Sequence, residues 1–306
     1  MRTRARQRLA GSAGFSLVEL SIVLVVVALM LSSLLYTLSA QTEQRNFEDT
    51  RRRLEQAREL VLAFAIVNGR LPCPARSAPT AAPVTVAGDE VWDPATGRCR
   101  GDGVDDNYGG ALVGPPAITL GLLPARAIGV TQVDAAGFAI DAWGNRIRYA
   151  VSGAVPVNSG PPPPGTPRVC RPVNDTTPPA TPHFTNATIL KTNGIDCQPS
   201  DLLICKSTAV TPAISAASCG GTPAGSNQIM SQSLVVAIIF STGKNATAGG
   251  GTGPRLDEAA NLNGDQIFVF HPPAPGGATG GEFDDQFTWI TVGELYGKLI
   301  AAGVLP

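Results

Sequence analysis

The nineteen residues from Leu20 to Leu38 are interrupted only by serine and threonine hydroxyls and by Tyr36. As a helix, this run is long enough to span a bilayer. It constrains the fold strongly, because a helix apolar on every face must be surrounded by lipid or by other apolar helices. Before it come Arg2, Arg4, Arg6 and Arg8, with no acidic residue ahead of Glu19. A charge at a membrane helix centre costs about 2.5 to 3.5 kcal/mol on insertion scales, and less near an end, so Glu19 is expected to have a partner. An ordinary secretory signal has an apolar region of roughly 7 to 15 residues and a small-residue cut site. Leu38-Ser39-Ala40 could be forced into that role, but the run is too long and the carboxylate is misplaced. A plain signal anchor explains the length and gives no reason for the spacing of Gly14, Phe15 and Glu19.

That spacing, between a basic leader and a spanning run, closely resembles the class III signal of type IV prepilins and pseudopilins. The resemblance implies that a prepilin peptidase cuts after Gly14 and methylates Phe15 as the new amino terminus. It also makes Glu19 the assembly residue, neutralising the terminal amine of a neighbouring subunit inside a fibre. Two opposite charges in an apolar bundle offset each other's desolvation, whereas either alone is destabilising. The partners implied are the peptidase, other pilin or pseudopilin subunits, the inner-membrane assembly platform and the membrane itself. The implied location is a single pass through a bacterial inner membrane with the head in the periplasm, then a periplasmic or extracellular fibre. The tip-type pseudopilin characteristically lacks the glutamate, which Glu19 retains.

After the span, Phe47, Thr50, Leu54, Ala57, Val61 and Phe64 recur at steps of three and four, while Arg51, Arg52, Glu55 and Glu59 take other faces. From Leu60 to Val67 the sequence is apolar on all sides, as for a helix end buried beneath a sheet, and Asn68-Gly69 followed by Pro72 stops it. The expected fold is α+β and pilin-like: a helix over about 15–68, roughly 80 Å long, packed on an antiparallel sheet head with long disulfide-stapled loops. The segments are a removed leader (1–14), a transmembrane and assembly helix (15–40), its amphipathic continuation (41–68) and a head (69–306).

Six cysteines, Cys73, Cys99, Cys170, Cys197, Cys205 and Cys219, all follow the span, which points to an oxidising compartment for the body. Basic residues flank the run on both sides and do not orient it. Six cysteines permit 15 pairings. Proximity makes Cys73 with Cys99 the simplest first loop, leaving four to tie down the Pro-rich middle. Losing the four leader arginines lowers the net charge of -1 by four, to -5. A mildly acidic body is a poor match for nucleic acid.

Gly101 to Asn107 is acidic and Gly-rich, but it fits a calcium-binding helix-loop-helix poorly, because Val104 occupies a ligand position and no glutamate stands at the twelfth. Some major pseudopilins bind calcium in a late loop, and the resemblance therefore leaves Asp102, Asp105, Asp106, Asp284 and Asp285 as calcium candidates. No other cofactor is expected. Asp141, Trp143, Gly144 and Asn145 form an Asp-x-Trp-Gly-Asn element similar to a turn before a sheet strand in type II secretion pseudopilins, where proline usually replaces Ala142. Here Trp143 is expected to pack, Gly144 to turn and Asp141 to cap the loop.

Ile147, Tyr149 and Val151 then alternate as a half-exposed strand. Pro156 to Asn227 reads as an insertion with short strands near 187–191 and 202–205. Leu234 to Phe240 reads as a central strand buried on both faces, followed by strands at 266–270 and 287–292 and a helix at 294–302. Ser241 to Asn245 is no phosphate loop, since Lys244 is not followed by Ser or Thr, and neither His183 nor His271 has a nucleophile partner by sequence. The chain reads as a non-enzymatic fibre subunit, the alternative being a membrane-anchored extracytoplasmic binding or adhesion protein that does not polymerise.

Overall fold

A computed structural model describes residues 16–75, 86–93, 98–99, 121–156, 183–200, 202–215, 218–246, 256–263, 266–275 and 277–306, without the side chains of 31–40, 93, 98, 154–156 and 256. The chain divides into two units, Met1–Asn46 and Phe47–Pro306. Helix α1 is Leu17–Asn68.

In the first unit, α1 begins with a reciprocal cap. The Ser16 backbone N–H donates to Glu19 Oε2 at 3.0 Å, and the Glu19 N–H donates to Ser16 Oγ at 3.2 Å. This capping box satisfies two backbone donors that a helix start otherwise leaves open. Each large apolar residue from Leu17 to Met30 is exposed, between 44% at Val26 and 86% at Leu17. Among the described residues no helix is long and apolar enough to cross a membrane. The described side chains of this run stop at Met30, and fourteen residues of helix reach only about 21 Å against a hydrocarbon core of about 30 Å.

The second unit opens with the amphipathic part of α1. Thr50, Leu54, Ala57 and Val61 are buried, Phe47 and Phe64 are half-buried, and Arg51, Arg52, Glu55 and Glu59 face solvent. The end of the helix is one-sided rather than buried all round. Val61, Leu62 and Ala65 are covered, whereas Ala63 is exposed and Val67 is 82% exposed. An apolar stretch does not by itself bring a cover for each face. The helix stops where Gly69 takes φ +67° and its N–H returns to Ala65 O.

The elements that follow are short: β1 Trp92–Asp93, β2 Arg98–Cys99, α2 Ala125–Ile128, β3 Arg148–Val151, β4 Ala154–Pro156, α3 Ala187–Asn193 and β5 Cys197–Pro199. They continue with β6 Leu203–Cys205, β7 Gln228–Met230, β8 Val235–Ser241, α4 Leu256–Asn261, β9 Ile267–Val269, β10 Gln286–Thr291 and α5 Val292–Ala301. The central sheet is antiparallel in the order β10-β8-β3, and all seven residues of β8 are buried. One face carries Tyr149, Val151, Ala237, Ile239 and Ile290 against Leu54, Ala57, Val61 and Leu62 of α1 and Leu295 and Leu299 of α5. The other carries Ala150, Ile238 and Phe240 against Leu202, Ile204 and Phe268.

Register explains how β8 serves both faces. Consecutive Ile290 and Thr291 pair with Ala237 and Val235, leaving Val236 as an extra residue. This bulge turns Val235 toward the second cluster while Val236 joins the first. Arg58 of α1 holds the helix to the sheet edge, donating Nε to Trp289 O at 3.1 Å and Nη2 to both Glu294 oxygens at 2.6 Å.

Several expectations need correction. Residues 187–191, read as a strand, lie in α3. The Asn186 side chain caps that helix by accepting from Ile189 N, and Gly194 ends it, so local capping outweighs the apolar pair Ile189-Leu190. The sheets are not uniformly antiparallel, because β6 pairs with β9 in parallel across a long crossover. Ala150, expected on the exposed face of a half-exposed strand, is 3% exposed, since a second small sheet, β7-β6-β9, supplies a layer over that face. Much of 187–227 is accordingly structured, while 157–182 lies outside the described residues.

Disulfides Cys73–Cys99 and Cys205–Cys219 join described residues. Cys197 is disulfide-bonded as well, and Cys170 lies outside the described residues.

Candidate assembly surface and carboxylate cluster

Gly14 and Phe15 lie outside the described residues, so the processing site has no geometry here. Glu19 is described, and its carboxylate closes the Ser16 capping box. That role was legible as Ser16-x-x-Glu19 and is distinct from a charge partnership. Eleven large apolar side chains between Leu17 and Met30 are more than two-fifths exposed. Successive helical residues step by about 100°, so these side chains leave no polar face. Burying one such side chain is worth about 1.5 to 3 kcal/mol, which puts roughly 15 to 30 kcal/mol of apolar driving force on this surface alone.

The Asp141 to Asn145 turn is a docking element. Asp141 Oδ1 accepts from Trp143 N at 2.9 Å and Asn145 N at 2.8 Å, and Oδ2 accepts from Ser241 Oγ at 2.6 Å. Burial raises the carboxyl pKa, against the lowering effect of these hydrogen bonds. Gly144 takes φ +87°, which lets the chain reverse. Trp143 meets Phe47 edge-on at 4.9 Å, Thr50 Oγ1 accepts from Ala142 N, and Arg53 donates to the carbonyls of Ile140 and Asp141. Thus Asp141 caps, Trp143 packs on the helix and Gly144 turns.

Asn145 Nδ2 also donates to Gly243 O at 2.6 Å, which brings the Ser241 to Asn245 segment beside the turn. From there the network leads to the carboxylates. Lys244 N donates to Asp284 Oδ2 at 3.1 Å, and Asn245 Nδ2 donates to Glu258 Oε1 at 3.1 Å. Ligand oxygens of Glu258, Asp284 and Asp285 lie within 4.8 Å of one another, and all three residues are buried. Asp284 N donates to Glu258 Oε1, and Asn261 Nδ2 donates to Asp285 Oδ2. Among the described residues, Glu258 Oε2 and Asp284 Oδ1 are buried with no hydrogen-bond partner.

Burial first, and the Glu258 charge second, push Asp284 up to about 7. Burial also drives Asp285 well above the carboxylate range, reinforced by Glu258 and Asp284. Asp284 and Asp285 are thus brought together, whereas Asp102, Asp105 and Asp106 lie outside the described residues. Glu258 was not foreseen: it stands 26 residues before Asp284 in no metal-ligand spacing, and only the fold unites them.

His183 Nε2 meets Tyr296 Oη at 3.0 Å, and Tyr296 Oη donates to Cys197 O. Burial lowers the His183 pKa to about 4. A groove of about 780 Å3 beside α1 is lined among others by Arg52, Arg53, Leu60, Val130 and Ile140. Comparison with protein families, with characterised proteins and with solved structures finds no match to this chain.

Proposed function

We propose that this protein is a type IV prepilin-like subunit of a pilus or type II secretion pseudopilus, cut after Gly14, N-methylated at Phe15 and assembled through its apolar helix. The observation that carries the reading is the all-round exposure of Leu17 to Met30 directly behind the Gly14-Phe15-Glu19 signal. A surface of that kind needs lipid before assembly and neighbouring helices after it. In the head, the packing of the amphipathic part of α1 on an antiparallel sheet supports this reading. The Asp141 to Asn145 element supports the pseudopilin branch by its likeness to the turn in that family. Disulfides in the head fit an oxidising compartment. A minor subunit is favoured by the bulk of the head.

A second reading, an anchored extracytoplasmic binding protein that never polymerises, is favoured by one detail: the Glu19 carboxylate already has a partner in its own Ser16 N–H. The test is co-expression of the full chain and Gly14→Ala with a prepilin peptidase and an assembly platform. The fibre reading requires the wild type to shorten and to crosslink into fibres, with both lost in Gly14→Ala. Equal size in the two proteins rejects processing. Shortening without incorporation favours the anchored protein.

A further inference from the structure

We propose that the groove beside α1 binds an extended, mainly apolar peptide segment of a partner protein, with an acidic side chain of that segment seated at the Arg52 and Arg53 end. The lining is apolar at depth, where Ala57, Leu123 and Ile147 are buried and Leu60, Val130 and Ile140 half-buried. The apolar surface continues along α1. Leu60, the exposed Ala63 and Val67, which is 82% exposed, follow at steps of three and four, and so share one helix face. This is the face left uncovered where the sequence is apolar all round. Charge along the groove is unbalanced. Glu55 and Glu59 line it, but their carboxylates are engaged by Arg58 Nη1 at 3.7 and 3.4 Å, and Glu59 also by Lys298 Nζ at 3.8 Å. Arg53 donates Nη1 to the carbonyls of Ile140 and Asp141 and, among the described residues, has no carboxylate partner. Arg52 meets only Asp49, at 3.4 Å, in a pair that is more than half exposed. A guanidinium held in place by carbonyls presents the rest of its fork to an incoming carboxylate.

Shape selects an extended occupant. From Arg52 to Ala63 the α1 wall runs about 17 Å, so a volume of about 780 Å3 has a mean cross-section of about 46 Å2. A helix with its side chains is about 10 to 12 Å across, about 80 Å2 or more, and does not fit inside. An extended chain covers the same length in about five residues and turns alternate side chains to the apolar lining. Groups that can hold its backbone are in place. Gln56, Thr131 and Gln132 line the groove as exposed residues, and among the described residues their side chains have no hydrogen-bond partner. Side-chain amides both donate and accept, as a peptide backbone requires. Ile140 N donates to Gln132 O across the adjoining hairpin, whereas the N–H and C=O of Thr131 make no backbone bond among the described residues, as for an open edge. Added strands of this kind draw affinity from the main chain and specificity from alternate side chains. This site does not depend on the fibre reading.

The test selects a phage-displayed library of random heptapeptides against the full chain in lipid nanodiscs, then titrates the enriched peptides, made with a fluorophore, by anisotropy. Enriched sequences should alternate apolar residues around one Asp or Glu. Ala63→Arg fills the groove from an exposed position, and should weaken a selected peptide at least tenfold while leaving the thermal midpoint in place. Changing the peptide's acid to its amide should cost at least tenfold on the wild type and much less on Arg53→Gln. That cycle isolates the charge pairing from any loss of fold caused by Arg53→Gln alone. The proposal is overturned by a library without enriched sequences, by equal binding to Ala63→Arg, by acid and amide peptides binding alike, or by a bound peptide that is helical by circular dichroism. A dimer of the chain that Ala63→Arg abolishes would give the groove to a second copy and overturn it as well.

Discussion

Removing the charge of Glu294 should loosen the attachment of α1 to the head by a measurable amount. Arg58 reaches from the helix to two places, Trp289 O and the Glu294 carboxylate, and both side chains of the pair are 22% exposed. At about 2.6 Å and an effective dielectric constant near 20, the gross attraction is about 6 kcal/mol. Desolvation offsets most of that, since exposed pairs contribute about 1 kcal/mol or less and broken buried pairs cost about 3 to 5. A half-buried pair should therefore show a coupling of about 1 to 2 kcal/mol.

The perturbation is Glu294→Gln, which leaves intact the α5 cap formed when Thr291 Oγ1 accepts from residue 294 N–H. Combined with Arg58→Met it completes a double-mutant cycle. Thermal unfolding of the full chain in detergent, followed by near-UV circular dichroism, should place the single variants about 3 to 6 °C below the wild type. The double variant should lose less than the two singles added together. Strict additivity would refute the claim that this pair fastens the helix.

Other consequences follow from single residues. Glu19→Gln keeps the capping geometry with Ser16 but not the charge, so it separates the two roles: fibre incorporation should fall about as much as in Glu19→Ala if charge matters, and match wild type if only the cap does. His183 is held neutral to about pH 4 in the fold but protonates near 6.5 when unfolded. The unfolded state therefore binds more protons between those values, and stability should fall by about 3 kcal/mol as pH drops from 6.5 to 4. His183→Gln should flatten that slope in urea titrations at each pH. Gly243→Ala combines a left-handed backbone with a collision on Asp284 and should cost about 2 kcal/mol or more in the same assay. Replacing Cys205 and Cys219 by serine opens a 14-residue separation and should cost about 2 to 4 kcal/mol by denaturant midpoint.

Much of the head was legible where one residue pattern dominates. The three- and four-residue spacing of Leu54, Ala57 and Val61 named the buried face of α1, and the Val-Ile run of β8 announced a strand covered on both sides. The Asp141 turn could be read because its roles are local: Asp141 binds amides two and four residues on, and Gly144 needs a positive φ. What sequence could not supply were contacts decided by distant chain. The face of β3 that carries Ala150 reads as exposed, yet β6 and β9 cover it. Ala187 to Lys191 reads as a strand from its apolar pair, but the Asn186 side chain, accepting from Ile189 N, starts a helix there. Glu258 carried no signal, since its meaning depends on Asp284 and Asp285 arriving from 26 and 27 residues away.

The central claim is that the first segment is an assembly device released by cleavage. Mass spectrometry of the N-terminal peptide, from the full chain co-expressed with a prepilin peptidase, tests it most directly. The expected peptide begins at Phe15 and carries one methyl group on its amine. A peptide retaining Arg2 to Gly14, or one beginning after Ala40, would contradict it.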